Sequence, residues 1–203
     1  ATDKADIGHY LNPNILTNSN SNIHTPFGVG VVDHTGWVDT NRLLTKSQKE
    51  LEQQHSFIGE VFDYEALDIS ANVLCYKKWK INHVVFAEGV GIKKNPWFST
   101  LPIIPNKGEW LIVSCKGLNL KTILKSNVFV VPLGNDMYRV GATYAREFEN
   151  IFPTDERKAW LITQFKKLTA LPFDVIDHGA GFRPTVPDRK PLIGKHPIHK
   201  NLW

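Results

Sequence analysis

The sequence contains many short runs of β-forming residues, separated by breaks that are mostly too short to hold a helix. Such runs are predicted to form strands at 57–62, 66–69, 73–79, 83–87, 110–114, 128–131, 138–140, 175–181 and 192–194, and 27–32 suits a short strand or a loop. Short connections join antiparallel neighbours, whereas parallel strands need crossovers of about a dozen residues or more. The sequence therefore predicts an α+β fold: a large, mainly antiparallel sheet with two principal helices packed on it.

Each of the two helices has a recognisable start. Asp39 is predicted to cap a helix that ends near His55, and Thr154 is predicted to cap a second helix whose first turn carries acidic residues. A short polar side chain at the cap can accept the free N–H groups of the first turn, and acids favour the positive end of the helix dipole. Apolar residues recur along one side of each helix, namely Leu43, Leu44 and Leu51 in the first and Leu161, Phe165 and Leu168 in the second.

Local patterns refine this outline. Gly134, Asn135 and Asp136 stand between two strand runs, which predicts a β-hairpin. The continuous apolar run at 83–87 predicts a fully buried strand, and a Pro-Asn-Lys-Gly turn is predicted before the strand at 110–114. Residues 1–26 are polar and are expected to be irregular, and no linker divides 27–203 into independent domains.

Composition narrows the classes of function. The chain of 203 residues has a net charge of +4 spread along its length, and its densest basic stretch is 76–80. Nucleic acid is therefore not the expected partner, because such sites need a more concentrated basic patch. No signal peptide and no apolar run of about 20 residues is present, so a cytoplasmic chain without a membrane partner is expected. Cys75 and Cys115 are expected to form a reduced, buried pair.

Common catalytic motifs are missing from the sequence. It contains no nucleophile elbow, no zinc-protease motif, no Cys-x-x-Cys and no phosphate-binding P-loop. The histidines lack the spacing of metal ligands, and no metal is expected. The run 28–33 contains two glycines but lacks the third glycine of a dinucleotide loop, so it is interpreted as a glycine-rich strand edge.

The most informative stretch is 179–194, in which Arg183 stands between Phe182 and Pro184. Pro184 favours an extended backbone at Arg183. An arginine whose direction is fixed in this way can form a bidentate pair with a carboxylate. The residues alone leave two roles open for Arg183: a surface salt bridge and a ligand clamp.

With this stretch the chain resembles the FAD-dependent oxidoreductases typified by D-amino acid oxidase, glycine oxidase and sarcosine oxidase. That family carries a Gly-x-Arg-Pro segment followed by Asp-x-x-Pro-x-x-Gly, and both are present here. The motifs that match in family order lie at 36–44, 84–89, 102–109, 140–143 and 181–194. The resemblance covers roughly 27–203, which is expected to be the substrate-binding domain with part of the FAD-domain interface.

The resemblance implies roles for particular residues. Arg183 would pair with the carboxylate of an amine or amino-acid substrate. Ala87, Glu88 and Gly89 would lie along the FAD, with Glu88 at a position that is usually small or polar, and the backbone of Val61 would meet the adenine. The flavin would accept the hydride, so no catalytic acid or base is nominated.

The family's Gly-x-Gly-x-x-Gly segment and its last flavin-contacting loop have no counterpart in this sequence. The chain is therefore expected to be a fragment of a flavoenzyme that, by itself, binds FAD weakly or not at all and is inactive. Two alternatives remain: a non-catalytic binding module of the same fold, and a relative that modifies tRNA.

Overall fold

The computed structural model describes residues 8–69 and 73–203. They fall into two compact units. The first contains residues up to Asn18 together with Pro26–Asp63, and the second contains Ser19–Thr25 together with Tyr64–Trp203. Within the described residues, no helix combines the length and the apolar character that a membrane span requires.

The first unit contains one small sheet and one helix. Strands β1 (Leu11–Leu16) and β2 (Val29–Val32) pair antiparallel. Part of the segment expected to be irregular, 1–26, therefore forms a strand; its residues 1–7 lie outside the described part of the chain. Helix α1 (Thr40–Gln53) begins after Asp39, whose carboxylate accepts from the Arg42 N–H at 3.0 Å, as predicted. All of α1 is described, and none of its residues is buried.

The second unit is built on a five-stranded antiparallel sheet in the order β10-β6-β9-β8-β7. These strands are β6 (Ile104–Ser114), β7 (Leu124–Lys125), β8 (Phe129–Gly134), β9 (Met137–Gly141) and β10 (Asp174–Thr185). A separate three-stranded sheet contains β3 (Leu67–Asp68), β4 (Leu74–Tyr76) and β5 (Trp79–Ile81). The predicted hairpin is confirmed, because β8 and β9 flank a tip at 134–136 whose three residues have positive φ.

Helix α2 (Asp155–Lys166) covers one face of the five-stranded sheet. It begins at the predicted cap Thr154, whose hydroxyl accepts from the Arg157 N–H. Leu161 and Phe165 of α2 pack against Leu111, Val113 and other core side chains of the sheet. The α+β prediction with mainly antiparallel strands is confirmed, and α2 is the helix that closes this core.

Several local predictions were wrong. Residues 57–62 and 192–194 are not strands, and Val61 and Ile193 are about nine-tenths exposed. The run 83–87 is not a buried strand: it makes one parallel bridge, Val84 to Leu202, and Val85 is 72% exposed. Apolar composition indicates that a segment can be buried, but burial also needs a neighbouring strand and a layer of side chains that covers it.

Two further expectations need correction. The Pro-Asn-Lys-Gly segment is no turn; it lies within β6, paired to β10 along its length, because the partner strand supplies the hydrogen bonds that hold it extended. Both cysteines are free thiols, but Cys75 is only half-buried while Cys115 is fully buried. Burial raises the pKa of the Cys115 thiol.

Candidate functional site

One row of residues crosses all five strands of the larger sheet. The register pairs Lys125 with Phe129, Phe129 with Gly141, Gly141 with Trp110, and Trp110 with Gly179. Directly paired residues point to the same side of a sheet. This row therefore defines one face, opposite the face covered by α2, which we call the site face.

Arg183 lies on the site face, four residues beyond Gly179 on β10 and opposite Asn106 on β6. Its Nη1 donates to Asn106 Oδ1 at 3.0 Å and to the Thr143 carbonyl at 3.4 Å. Asn106 is fully buried, and its Nδ2 donates to the Ala145 carbonyl at 2.9 Å. The amide is thereby oriented with its oxygen toward the guanidinium.

Glycines let two large side chains lie flat on the site face. A Cβ at Gly108 would stand 2.6 Å from Arg183 Nη1, and a Cβ at Gly179 would stand 2.7 Å from Cε2 of Trp110. Real Cβ atoms are not found this close to other heavy atoms, so these positions require glycine for the observed side-chain placement. The Arg139 guanidinium stacks above the Trp110 ring at 4.3 Å.

A shallow concavity of about 270 Å³ lies beside Arg183. Eight residues line it: Lys125, Asn127, Phe129, Gly141, Ala142, Thr143, Tyr144 and Arg183. None of the eight is acidic. Among the described residues, no carboxylate forms an ion pair with Arg183, and no acceptor is bound by its Nε or Nη2. Arg183 therefore keeps N–H groups that can bind an anion.

Residues 87–89, which are expected to contact the cofactor, lie near the C-terminal end of β10. Val84 and Phe86 donate to the carbonyls of Asn201 and Trp203, respectively. The chain then reaches Gly89, which is exposed, has a φ of +56°, and would carry a Cβ 3.9 Å from the Pro184 ring. Ala87 is exposed as well. The structure thus brings Gly89 beside Pro184, the residue that follows Arg183.

Glu88 uses its carboxylate within the protein. Oε1 accepts from the Tyr64 hydroxyl at 2.5 Å, and Oε2 accepts from Asn95 Nδ2 at 3.0 Å. The hydrogen bond from Tyr64 to Glu88, together with burial and the negative charge of Glu88, raises the pKa of Tyr64 to about 12. The Glu88 side chain therefore holds the turn that follows it. Val61 lies in the first unit and is 92% exposed.

A buried charged cluster on the opposite face was missed by the sequence interpretation. Glu109, 2% exposed, accepts from the Thr154 N–H at 2.8 Å and pairs with Lys107 Nζ at 3.2 Å and His178 Nε2 at 3.0 Å. Burial opposes ionisation of Glu109, but the Thr154 and Lys107 contacts outweigh it and hold its pKa below the usual range. The cluster fastens the start of α2 to β6.

The same cluster supports the site face through the backbone. The Glu109 N–H donates to the Thr143 hydroxyl at 2.8 Å, and the Thr143 N–H donates to the Glu109 carbonyl at 3.0 Å. Thr143 in turn accepts from Arg183. Lys107 and Glu109 lie within the motif at 102–109 that the resemblance identified. Successive side chains along a strand point to opposite faces, and this alternation in β6 is the signal that places Lys107 and Glu109 on the face opposite Asn106. No three described His, Cys, Asp or Glu side chains form a group that could hold a metal ion.

Comparison with known proteins supplies the relatives of this chain. A glycine oxidase of Pseudomonas aeruginosa is 28% identical over 106 residues, which are 51% of this chain and 29% of the relative. Glycine oxidase from Geobacillus kaustophilus superposes with a TM-score of 0.58 at 22% identity, covering 70% of this chain and 40% of that one. Iminodiacetate oxidase from Chelativorans sp. BNC1 gives 0.61 at 17% identity, covering 86% and 49%. These structures share the fold.

The chain thus spans less than half of the length of each of these relatives. The model of the FAD-dependent oxidoreductase family matches residues 5–203, nearly the whole sequence. This match spans the motifs at 36–44, 84–89, 102–109, 140–143 and 181–194, and the chain belongs to the family of FAD-dependent oxidoreductases.

Proposed function

We propose that this chain forms the substrate side of an FAD-dependent oxidoreductase that oxidises a small amine or amino acid carrying a carboxylate. The observation that carries the proposal is the state of Arg183. Asn106 and Thr143 hold one corner of its guanidinium, while the remaining N–H groups border a small concavity without an acidic lining. A guanidinium placed in this way matches the geometry of a carboxylate.

The residues present suit a flat cofactor. Ala87 and Gly89 are small and exposed, and Gly89 lies beside Pro184, next to the proposed clamp. Side chains without bulk let a cofactor approach the backbone closely. FAD bound along 87–89 would supply the hydride acceptor. For Glu88 we propose a backbone contact, since both carboxylate oxygens are engaged, and for Val61 a backbone contact to the adenine.

The chain's own residues have two tasks in this proposal. Arg183 binds the carboxylate and thereby fixes the orientation of the substrate C–H bond, which is the positioning contribution to catalysis. The aromatic rings of Phe129 and Tyr144 border the concavity, where they are 47% and 56% exposed, and they would help to exclude water once the cofactor covers them. A water-shielded arginine–carboxylate pair is worth several kcal/mol, whereas an exposed one is worth about 1 kcal/mol or less. The proposed donors are therefore CH–NH or CH–NH2 groups next to a carboxylate.

The complete protein provides the test. Arg183→Met should raise the KM for the amino-acid substrate about 100-fold, the loss of about 3 kcal/mol of charge-assisted hydrogen bonding. Bound flavin, recorded from its visible absorption, should be retained. Arg157→Met on α2 is the matched control and should leave KM unchanged. A complete protein that carries no flavin would refute the function, and an unchanged KM for Arg183→Met would refute the clamp.

We also propose that the chain in isolation binds FAD weakly or not at all and shows no turnover. The matched relatives are more than twice as long as their aligned parts, and Val85, beside the proposed FAD-contacting residues, is 72% exposed. Titrating FAD into the purified 203-residue chain tests this, with flavin fluorescence as the readout. Saturable binding at micromolar concentration would contradict it.

A further inference from the structure

The concavity beside Arg183 contains a second cation. Lys125 lines the same hollow from the opposite edge of the sheet, where β7 pairs with β8. Its ammonium lies 4.8 Å from the centroid of the Phe129 ring and donates to the Ser126 carbonyl. An ammonium has three donors, and the described residues supply no carboxylate partner for this one.

The two cations face one volume with no acid between them. The other lining residues are neutral: Asn127, Phe129, Gly141, Ala142, Thr143 and Tyr144. Asn127 already donates to Gln164 Oε1. Two positive groups that border a small hollow without a counter-ion raise its affinity for a ligand with two negative groups.

The spacing of the sheet sets the length of such a ligand. The Lys125 ammonium lies over Phe129 on β8, and the Arg183 guanidinium lies over Gly108 on β6, two strands away and two residues further along. Strand spacing and rise place the two cations on the order of 12 Å apart. A hydrogen bond of about 2.8 Å at each end leaves about 6 Å between the anionic oxygens.

We infer that the site binds a dianionic substrate, with one carboxylate on Arg183 and a second anionic group on Lys125. A separation of about 6 Å corresponds to an amino acid with a γ-carboxylate. The hollow of about 270 Å³ suits a molecule of this size and is smaller than the pockets that hold drug-sized ligands. This inference rests on the proposed function and names its substrate class.

Two inhibitors separate the inference from the proposed function. Glutarate and pentanoate share one carboxylate and the same chain length, and glutarate adds the second carboxylate. In the complete flavoprotein, glutarate should compete with substrate about tenfold more tightly than pentanoate. Lys125→Met should reduce this preference about fivefold and leave pentanoate binding unchanged. Raising the salt concentration should shrink the preference in the unmodified protein.

Lys121→Met is the matched control, since Lys121 is an exposed lysine four residues earlier that does not line the hollow. It should leave the preference unchanged. The inference is overturned, while the clamp stands, if the preference for glutarate over pentanoate is the same in the unmodified protein and in Lys125→Met. It is also overturned if Lys121→Met loses as much of this preference as Lys125→Met. Failure of both acids to compete would refute the Arg183 clamp, and the inference with it.

Discussion

Replacing Gly108 by alanine should separate the function of Arg183 from the stability of the fold. The new Cβ would stand 2.6 Å from Nη1 and 2.7 Å from Cζ of Arg183, both at the far end of a flexible side chain. Gly108 has no positive φ, so the backbone of β6 accepts alanine without strain. The guanidinium must therefore leave its place beside Asn106, while the sheet remains intact.

The magnitudes follow from these contacts. Losing the Arg183–Asn106 hydrogen bond at a buried acceptor costs about 1–3 kcal/mol, and alanine recovers about 0.5–1 kcal/mol of backbone entropy relative to glycine. The net loss of about 1 kcal/mol lowers Tm by about 3 °C. The displaced clamp loses about 3 kcal/mol of carboxylate binding, which corresponds to an increase in KM of about 100-fold.

Steady-state kinetics and thermal unfolding of the complete protein measure the two effects. Gly30→Ala is the control, because Gly30 is also a strand glycine and its added Cβ would meet no atom within 4 Å. It should leave KM unchanged. A Gly108→Ala protein with normal KM would show that the placement of Arg183 does not govern substrate binding. A drop in Tm of more than 10 °C would show that Gly108 is needed for the fold itself.

Two further predictions concern the buried Glu109 carboxylate and the Tyr64 phenol, whose pKa is raised. Glu109→Gln should lower the free energy of unfolding by about 3 kcal/mol at pH 7, because it leaves the buried Lys107 ammonium without its counter-charge. The folded pKa of Glu109 is depressed, so its stabilisation is present above the unfolded carboxyl pKa and is lost as pH falls through the folded value. Denaturant unfolding at pH 7 and in acid should show the two proteins converging on acidification; a constant difference would contradict this. Tyr64 should ionise near pH 12, so the ultraviolet titration of Tyr64→Phe should lack a phenolate step near pH 12 that the unmodified protein shows. If the step that Tyr64→Phe lacks lies near pH 10 instead, the Glu88 contact is contradicted.

The sequence predicted features whose causes lie within a few residues. Asp39 and Thr154 cap their helices because the cap hydrogen bond reaches three residues along the chain. The hairpin tip at 134–136 has residues that tolerate positive φ. Runs of β-forming residues also located the parts of β6 and β10 at 110–114 and 175–181. These features depend on local conformation, so a single sequence is sufficient to identify them.

The same local signals failed where a distant partner was required. Residues 83–87 and 192–194 have strand-forming composition, yet 192–194 are exposed, and in 83–87 only Val84 and Phe86 are half-buried. Pro105-Asn106-Lys107-Gly108 has turn-forming composition, yet β10 pairs with it and holds it extended. In both cases the neighbouring backbone, and not the residue type, decided the conformation.

The sequence alone determined the fold class, the family resemblance and Arg183 as the candidate clamp, because motif order and residue identity carry that information. Tertiary structure alone decided what surrounds Arg183. Asn106, Thr143 and Lys125 lie 77, 40 and 58 positions away in the sequence, and antiparallel pairing brings them to one face. Hydrogen bonds and charge act over a few ångströms of space, so the surroundings of the clamp follow from the pairing of β10 with β6, two strands that are far apart in the sequence.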